Sequence, residues 1–225
     1  MNLVTISNDL WLHTHTKRWL RYARQNTTCK LYLLLTTHEY QGVLHDPVVT
    51  GFDGVHYFPG DIGDRPWFNR IRMEATEIFG LNDCLYIDAD ADVYCDLSDI
   101  PGEADLRWVR SPVMHKNWPE LCFKMGYGWP EWEANNGLLY MNRSFKDEYA
   151  EAEEKMKQFE APDRIKGMQV FNVMLREVGN EELPMDWSRI WSHVEGVVDA
   201  KVLQFCNDRG QKKRMILEDL WEAIQ

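Results

Sequence analysis

The chain has 225 residues, carries a formal net charge of −11 at pH 7 and is 44% hydrophobic. This length fits one large domain or two small ones, and the apolar fraction is sufficient for a buried core, which excludes a wholly disordered chain. The acidity argues against non-specific nucleic-acid binding, because such binding depends on Lys and Arg side chains that neutralise phosphates.

The first half of the chain alternates predicted strands and helices. The predicted strands are short and apolar, are bounded by turn residues, and cover 3–7, 29–36, 54–60 and 83–93. Asn8 and Asp9 can cap a helix that runs to about Gln25, and Pro66 suits the first turn of a second helix at 66–79. This order of elements is typical of a doubly wound α/β fold, in which chemistry is found at the carboxyl ends of the strands.

The second half is predicted to continue the same domain, since it holds no repeat and no linker. Its strands are predicted at 106–112, 135–142 and 201–208, its helices at 144–160 and 168–178, and a helical apolar stripe at 216–224. Residues 113–134 are rich in Trp, Pro and Gly and are predicted to form an irregular loop. The aromatic side chains of this loop indicate an acceptor platform, a lid or plain core, and they are Trp118, Tyr127, Trp129 and Trp132.

An acidic cluster follows the apolar residues CLYI. Asp88, Asp90 and Asp92 alternate there, and alternate side chains of a strand share one face. Three carboxylates on one face repel one another unless a cation or strong hydrogen-bond donors compensate them. Oxygen ligands suit Mg²⁺ or Mn²⁺, so the cluster predicts a site for a hard divalent metal. The alternative is an exposed acidic turn that caps a neighbouring helix.

Two other kinds of site share part of this pattern. The run DADADV places aspartates at the first, third and fifth positions of an EF-hand loop, but Val93 stands where that loop needs Gly. A phosphatase with an aspartyl nucleophile also has a strand followed by a DxD motif, although usually near the N-terminus rather than in the middle of the chain. A metal-dependent phosphatase or hydrolase therefore stays open as an alternative function.

The stretch CLYIDADADVYCDLSDI resembles a segment of GT-A fold glycosyltransferases, most closely those of family 8, which carry a (Y/F)LDAD…GDLSEL-like sequence. Three later stretches resemble further segments of that family, in the same order. ANNGLLYMN is similar to its FNAGVLLIN strand, MQVFN to its DQ…LN helix start, and VLQFCNDRGQKK to its IHFxG…KPW segment. The resemblance implies a single GT-A (Rossmann-like) α/β domain with a mostly parallel central sheet and flanking helices. Residues 1–100 would be its nucleotide-binding half and 101–225 its donor-sugar and acceptor half.

The resemblance also implies an activity, which is transfer of a hexose from a nucleotide sugar, a UDP-sugar, to an acceptor with retention of anomeric configuration. Mn²⁺ or Mg²⁺ would lie on the diphosphate, because a bridging cation stabilises the leaving group as it forms. By position, Asp88 would contact ribose or metal, Asp90 would be a metal ligand, and Asp92 would be an anchor behind them. A catalytically silent nucleotide-sugar-binding module is a further alternative.

The sugar side of the implied site is carried by three residues. Asn135 and Gln169 match residues of the family that lie near the donor sugar, so both are candidate catalytic residues beside Asp90. Gly137 would allow close approach of the backbone to the donor. Met168 stands where the family has Asp before the Gln.

The nucleotide side of the implied site lies in the first half of the chain. Arg72, with Arg70 as a rival, matches a basic residue that precedes the DxD motif in the family. Ser7 and Trp11 occupy the region where the family cradles the base, and Trp11 could stack on uracil or belong to the core.

The late segment departs from the family pattern at two points. Gln204 stands in place of a histidine that is the third metal ligand, so its amide oxygen or, as a substitute, His193 would complete the metal site. The Lys-Pro-Trp motif is replaced by a basic run that includes Lys212 and Lys213. This run would hold the diphosphate through charge-assisted hydrogen bonds or simply begin a solvated helix.

The cysteines and apolar runs indicate the compartment. Five scattered cysteines without a CxxC pair favour reduced thiols in a cytoplasmic protein. The start of the chain lacks the features of a signal peptide, and its densest apolar run is far shorter than the roughly 20 residues that span a bilayer. We therefore expect no transmembrane segment.

Overall fold

The computed structural model describes residues 1–60, 65–112, 114–160, 165–184, 187–190 and 201–205. Three features predicted from the sequence lie outside these residues: the helical stripe at 216–224, the basic run with Lys212 and Lys213, and His193.

The N-terminal part alternates strands and helices in the predicted order. Its strands are β1 (Asn2–Asn8), β2 (Lys30–Thr37), β3 (Gly54–Pro59) and β4 (Cys84–Ile87). Its α-helices are α1 (Asp9–Trp11), α2 (Lys17–Asn26), α3 (Tyr40–Val43), α4 (Arg65–Met73) and α5 (Ala75–Phe79). The Asn8 side chain accepts a hydrogen bond from the Trp11 amide at 3.0 Å, which confirms the predicted cap. A π-helical segment, Leu12–Thr16, then joins α1 to α2.

The remaining elements follow the acidic cluster. The strands are β5 (Ala91–Val93), β6 (Leu106–Arg110), β7 (Ala134–Met141), β8 (Glu181–Glu182), β9 (Ser188–Ile190) and β10 (Val202–Gln204). The helices are α6 (Trp118–Lys124), α7 (Lys146–Met156) and α8 (Gly167–Met174).

The central sheet places the amino end of β7 beside the carboxyl end of β4. Seven strands of the described residues form this sheet in the order β3-β2-β1-β4-β7-β6-β8. Strands β1 to β4 run parallel, and β7 runs antiparallel to both β4 and β6. The strand order reverses between β1 and β4, and such switch points are where ligands bind in open α/β sheets.

Apolar layers cover both faces of the sheet, because successive side chains of a strand point to opposite faces. In β4, Cys84 and Tyr86 pack into one apolar cluster, while Leu85 and Ile87 pack into the other. The first cluster takes buried residues from α7 and α8, and the second takes buried residues from α2. This arrangement confirms the predicted α/β domain with a mostly parallel central sheet and flanking helices.

The predicted strand at 83–93 is wrong in its second half. Strand β4 ends at Ile87, and a turn follows in which the Ala91 amide donates to the Asp88 carbonyl at 3.1 Å. Strand β5 then leaves the central sheet and joins a second one, in the order β5-β10-β9. Asp88, Asp90 and Asp92 therefore do not line one face of a single strand.

Two predictions about helices also need correction. The helix predicted at 66–79 is divided at Glu74 into α4 and α5, although it ends as predicted at Gly80, whose φ of +62° is favourable for glycine. The predicted loop at 113–134 contains α6. The proline of this segment, Pro119, does not prevent the helix, because it lies in the first turn, where proline is tolerated. The elements predicted at 144–160, 168–178 and 201–208 are present but shorter.

Candidate active site

The turn after β4 carries two of the predicted site carboxylates. Asp88 and Asp90 lie in this turn, and both are partly exposed. Strand β10 runs beside it, since Ala91 pairs with Gln204 and the Phe205 amide donates to the Asp90 carbonyl at 3.0 Å. The fold thus brings Gln204, which is far away in the sequence, next to the DxD motif.

One oxygen of Asp88 is held by two protein donors. The Tyr86 hydroxyl donates to Asp88 Oδ1 at 2.6 Å, and Arg72 Nη2 lies 3.5 Å from the same oxygen. Burial raises the pKa of Tyr86 well above its usual value, so its hydroxyl stays protonated and remains a donor. The other oxygen, Oδ2, faces Gly137.

Of the two rival arginines, Arg72 is the one that reaches this site. It is 3% exposed, donates to the Asn136 carbonyl at 2.6 Å, and lies with its guanidinium 4.7 Å from the centre of the Tyr86 ring. Burial acts to lower the pKa of Arg72, but Tyr86 and Asp88 raise it, and the net direction is upward. Arg70 instead lies on the outer surface of α4, where it pairs with Glu74 at 3.7 Å.

The first residues of β7 form an irregular segment that faces the turn. Strand β6 pairs Trp108 with Leu139 but Val109 with Asn135, so the intervening residues bulge out of the ladder. The bulge contains Asn136 and Gly137, and the Gly137 carbonyl accepts from the Asp88 amide at 2.9 Å. Bulges of this kind re-aim side chains next to active sites.

Three polar atoms converge on the space where Gly137 lacks a side chain. The Gly137 amide donates to Asn135 Oδ1 at 2.8 Å, and Asn135 Nδ2 donates to Gln204 Oε1 at 2.6 Å. A Cβ atom at Gly137 would overlap Gln204 Nε2 and would lie 2.7 Å from Asp88 Oδ2. Glycine is therefore required here if these side chains are to keep their positions.

We expect Gly137→Ala to weaken binding at this site while the fold is retained. The added methyl group meets the ends of Gln204 and Asp88, and both must shift away from the site. If the site binds UDP with Mn²⁺, as the sequence resemblance implies, a loss of about tenfold or more in that affinity, measured by calorimetry, is the expected result. Gly42→Ala is the matched control, because a Cβ there lies no closer than 3.6 Å to any neighbour. Equal affinities for the two variants would contradict this role for Gly137.

Asp92 has a different role from the other two aspartates. It is fully buried, and the Arg18 guanidinium donates to it in three hydrogen bonds of 2.8 to 3.1 Å. A guanidinium thus compensates this carboxylate, which fits the predicted anchor behind the site rather than a metal ligand. The same pairing excludes an EF-hand, whose loop would need the Asp92 carboxylate for the ion.

Gln169 lies at the start of α8, close to the bulge but bonded within its own turn. Its Oε1 accepts from the Lys166 amide at 3.3 Å, and its side chain is largely buried. Two residues earlier, Gly167 packs so closely on Asn69 that a Cβ there would overlap the Asn69 side chain. Asn69 in turn accepts a hydrogen bond from Asn136 at 3.0 Å. The helix start is therefore joined to the bulge through Asn69.

Trp11, at the end of α1, is exposed to solvent, whereas Ser7, in β1, is buried. Ser7 is fully buried, and its hydroxyl interacts with Thr16 and with the Asn8 carbonyl. Trp11 is 41% exposed and packs edge-on against His15, so its ring is accessible to a ligand. A direct contact between the Ser7 hydroxyl and a base is not supported by this geometry.

The aromatic residues of the predicted loop divide between core and surface. Trp118 is fully buried in the core, and Trp132 packs against Trp108 in a tilted arrangement with ring centres 4.6 Å apart. Tyr127 donates its hydroxyl to Glu177. Trp129 is 77% exposed and is the member of this set that remains available as an acceptor platform.

Asn172 positions the start of β7 and was not singled out from the sequence. It is fully buried; its Oδ1 accepts from the Ala134 amide at 2.7 Å, and its Nδ2 donates to the Ala134 carbonyl at 3.0 Å. An asparagine within the apolar run of α8 is the available signal, because buried polar groups need partners.

We expect Asn172→Leu to destabilise the fold by about 1–3 kcal/mol, because it leaves the Ala134 backbone groups buried without their partners. Chemical denaturation measures this change. A variant as stable as the unmodified protein would show that Asn172 does not hold the start of β7.

The residues of the turn fit a hard divalent cation. Asp88 Oδ2 and the Asp90 carboxylate supply anionic oxygen, and Mg²⁺ is commonly bound through one or two carboxylates together with substrate phosphates. Within the described ranges, no group of three or more His, Cys, Asp or Glu side chains converges on one point. Among the described residues, a cation here would therefore rest on Asp88 and Asp90, together with oxygens of its ligand.

Comparisons with known proteins define the fold. No protein-family model matches the chain, and no curated protein matches its sequence. Among the similar solved structures are that of the galactosyltransferase LgtC in complex with donor and acceptor sugar analogues, and that of an LgtC active-site mutant in which glutamate replaces a glutamine. Each aligns with a TM-score of 0.65 at 13% identity and covers 92% of this chain and 88% of the LgtC chain.

The membrane prediction can be tested only in the part of the chain that the structure describes, and no helix there has the length and apolarity needed to cross a bilayer. The strand order, the reversed β7 and the structural similarity agree on one architecture. The chain has the GT-A fold.

Proposed function

We propose that the protein is a glycosyltransferase that transfers a hexose from a nucleotide sugar, a UDP-sugar, to an acceptor. The observation that carries this proposal is the convergence of Asp88, Arg72, Asn135 and Gly137 at the carboxyl end of β4, one strand from the switch point of the sheet, in a fold shared with a galactosyltransferase. Asp90 lies in the same turn as Asp88, which supports a site built for a cation and an anionic ligand.

Asp88 and Asp90 would hold Mg²⁺ or Mn²⁺. When bound, such a cation stabilises the negative charge of the departing nucleoside diphosphate. Tyr86 and Arg72 contact Oδ1 of Asp88 and hold the carboxylate in place, so that its Oδ2 stays directed towards Gly137 and the proposed cation.

The other proposed roles concern the donor. Trp11 would stack on the base, and the bulge at Gly137 would let the backbone approach the sugar. Asn135 and Gln169 would orient the reacting sugar. One of the similar structures is an LgtC variant altered at an active-site glutamine, which motivates a test of Gln169 here. Retention of configuration is part of this proposal.

The basic run keeps the role predicted from the sequence. Lys212 and Lys213 would contact the diphosphate through charge-assisted hydrogen bonds. Arg70 is set aside in favour of Arg72, since its guanidinium is engaged with Glu74 on the surface.

A panel of nucleotide sugars tests this function. We expect at least one donor, a UDP-sugar, to release its nucleoside diphosphate in the presence of Mn²⁺, and we expect a chelator to stop the release. Release of phosphate from a simple ester, with every nucleotide sugar left intact, would favour a hydrolase instead. Tight binding of a donor without transfer or hydrolysis would indicate a silent binding module.

A further inference from the structure

We propose that Gln204 donates a hydrogen bond to a diphosphate oxygen of the donor and is not a ligand of the metal. This inference rests on the proposed function and assigns this position a role different from that of the histidine it replaces in the resemblance. It follows from the orientation of one buried amide.

A backbone group fixes that orientation. The Gly137 amide can only donate, so the Asn135 atom that meets it at 2.8 Å must be the oxygen. Asn135 Nδ2 then points at Gln204, and the Gln204 atom that accepts from it at 2.6 Å must also be an oxygen. A reversed Gln204 amide would place two N–H groups against each other. The Gln204 nitrogen therefore faces the site, and a nitrogen donor does not bind a cation.

The Gln204 nitrogen is a hydrogen-bond donor with no acceptor among the described residues. Gln204 is 1% exposed, and within the described part of the chain its Nε2 is buried without a hydrogen-bond partner. A buried donor left unsatisfied is unfavourable, so such a group indicates an acceptor supplied by something else. The space it faces is the one above Gly137, which Asp88 Oδ2 also borders.

A diphosphate oxygen is the acceptor that best suits this space. An oxygen placed beside the Asp88 carboxylate needs a cation or N–H donors around it, and a cation held by Asp88 and Asp90 would bring phosphate oxygens to that point. The Gln204 N–H would add a charge-assisted hydrogen bond to the same group. In such a site, the Asp88 and Asp90 carboxylates would bind the cation, and the Gln204 amide would donate a hydrogen bond to the diphosphate.

Two substitutions separate the donor role from the ligand role. Gln204→Glu keeps an oxygen for Asn135 Nδ2 and replaces the inward N–H by a carboxylate oxygen. Gln204→Met removes both amide atoms at similar volume. The matched control is Gln158→Glu in the exposed turn that follows α7. Thermal unfolding establishes that each variant is folded. If Gln204→Met does not fold, the Mn²⁺ and UDP affinities of Gln204→Glu alone distinguish the two roles.

Two affinities are measured: that for Mn²⁺ alone, by electron paramagnetic resonance of the free ion, and that for UDP at saturating Mn²⁺, by calorimetry. We expect Gln204→Met to keep the Mn²⁺ affinity within about twofold and to weaken UDP by about 10- to 100-fold. Gln204→Glu is expected to bind Mn²⁺ more tightly and UDP at least as weakly as the methionine variant.

Two results would overturn the inference while leaving the proposed function intact. A tenfold loss of Mn²⁺ affinity in Gln204→Met would make Gln204 a metal ligand. Unchanged UDP affinity in both variants would remove the diphosphate contact. If the unmodified protein binds no UDP with Mn²⁺, the proposed UDP-sugar function fails, and this inference fails with it.

Discussion

Replacement of Asp90 by Asn is expected to abolish sugar transfer in the presence of Mn²⁺. The substitution keeps the size of the side chain but removes one of the two charges proposed to hold the cation, so the departing diphosphate loses its stabilisation. Groups that stabilise developing charge in a transition state are typically worth about 10²–10³-fold in kcat, and we expect a loss of at least that size. Release of nucleoside diphosphate from the active donor is the measurement.

Asp99→Asn is the matched control for this substitution. Asp99 is exposed and lies in the same acidic stretch, so it removes an equal charge from the same region of the surface. We expect the control to keep full activity. Full activity in Asp90→Asn would remove Asp90 from the proposed metal site.

Replacement of Arg18 by Met is expected to give the largest loss of stability. It removes the guanidinium that makes three hydrogen bonds to the fully buried Asp92 carboxylate. Breaking a buried ion pair from one side typically costs about 3–5 kcal/mol, because a charge is left buried without compensation. The expected loss in the free energy of unfolding lies in this range and corresponds to a melting temperature lower by roughly 10 °C.

A second pair on the same helix provides the control. Arg24 pairs with Asp53 at 2.9 Å, but both side chains are more than one third exposed, so Arg24→Met is expected to cost no more than about 1 kcal/mol. The double variant Arg18→Met with Asp92→Leu is expected to recover much of the lost stability, since no buried charge remains. A single Arg18 variant as stable as the Arg24 variant would contradict this account of Asp92.

The pair between Arg18 and Asp92 also shows why the acidic cluster was only partly predictable. The run Asp88 to Asp92 has the period of a strand, and local reasoning extended β4 through it. Strand β5 instead belongs to another sheet, where it pairs with β10, and the residue that neutralises Asp92 lies 74 positions earlier in the chain. Periodicity within a segment carries no information about such distant partners. The apolar run of β2, in contrast, was predicted almost to its ends because it is buried on both faces.

The residues that the structure brings together at the turn after β4 were in part expected from local motifs. Arg72, Asn135 and Gly137 were all expected from short stretches of sequence, and the structure brings them to Asp88. Asn69 and Asn172 were missed because their roles arise from contacts with residues 67 and 38 positions away. The inward nitrogen of Gln204 depends on a hydrogen-bond chain that begins at a backbone amide in a bulge, which no residue type encodes by itself.

The central claim is that Asp88 and Asp90 together hold a divalent cation that carries the donor diphosphate. Diffraction from crystals grown with Mn²⁺ and UDP, recorded at a wavelength where manganese scatters anomalously, tests it most directly. We predict an anomalous peak at coordination distance, about 2.1 Å, from both carboxylates and in contact with the diphosphate. A peak elsewhere with UDP bound, or both carboxylates directed into bulk solvent, would contradict the claim.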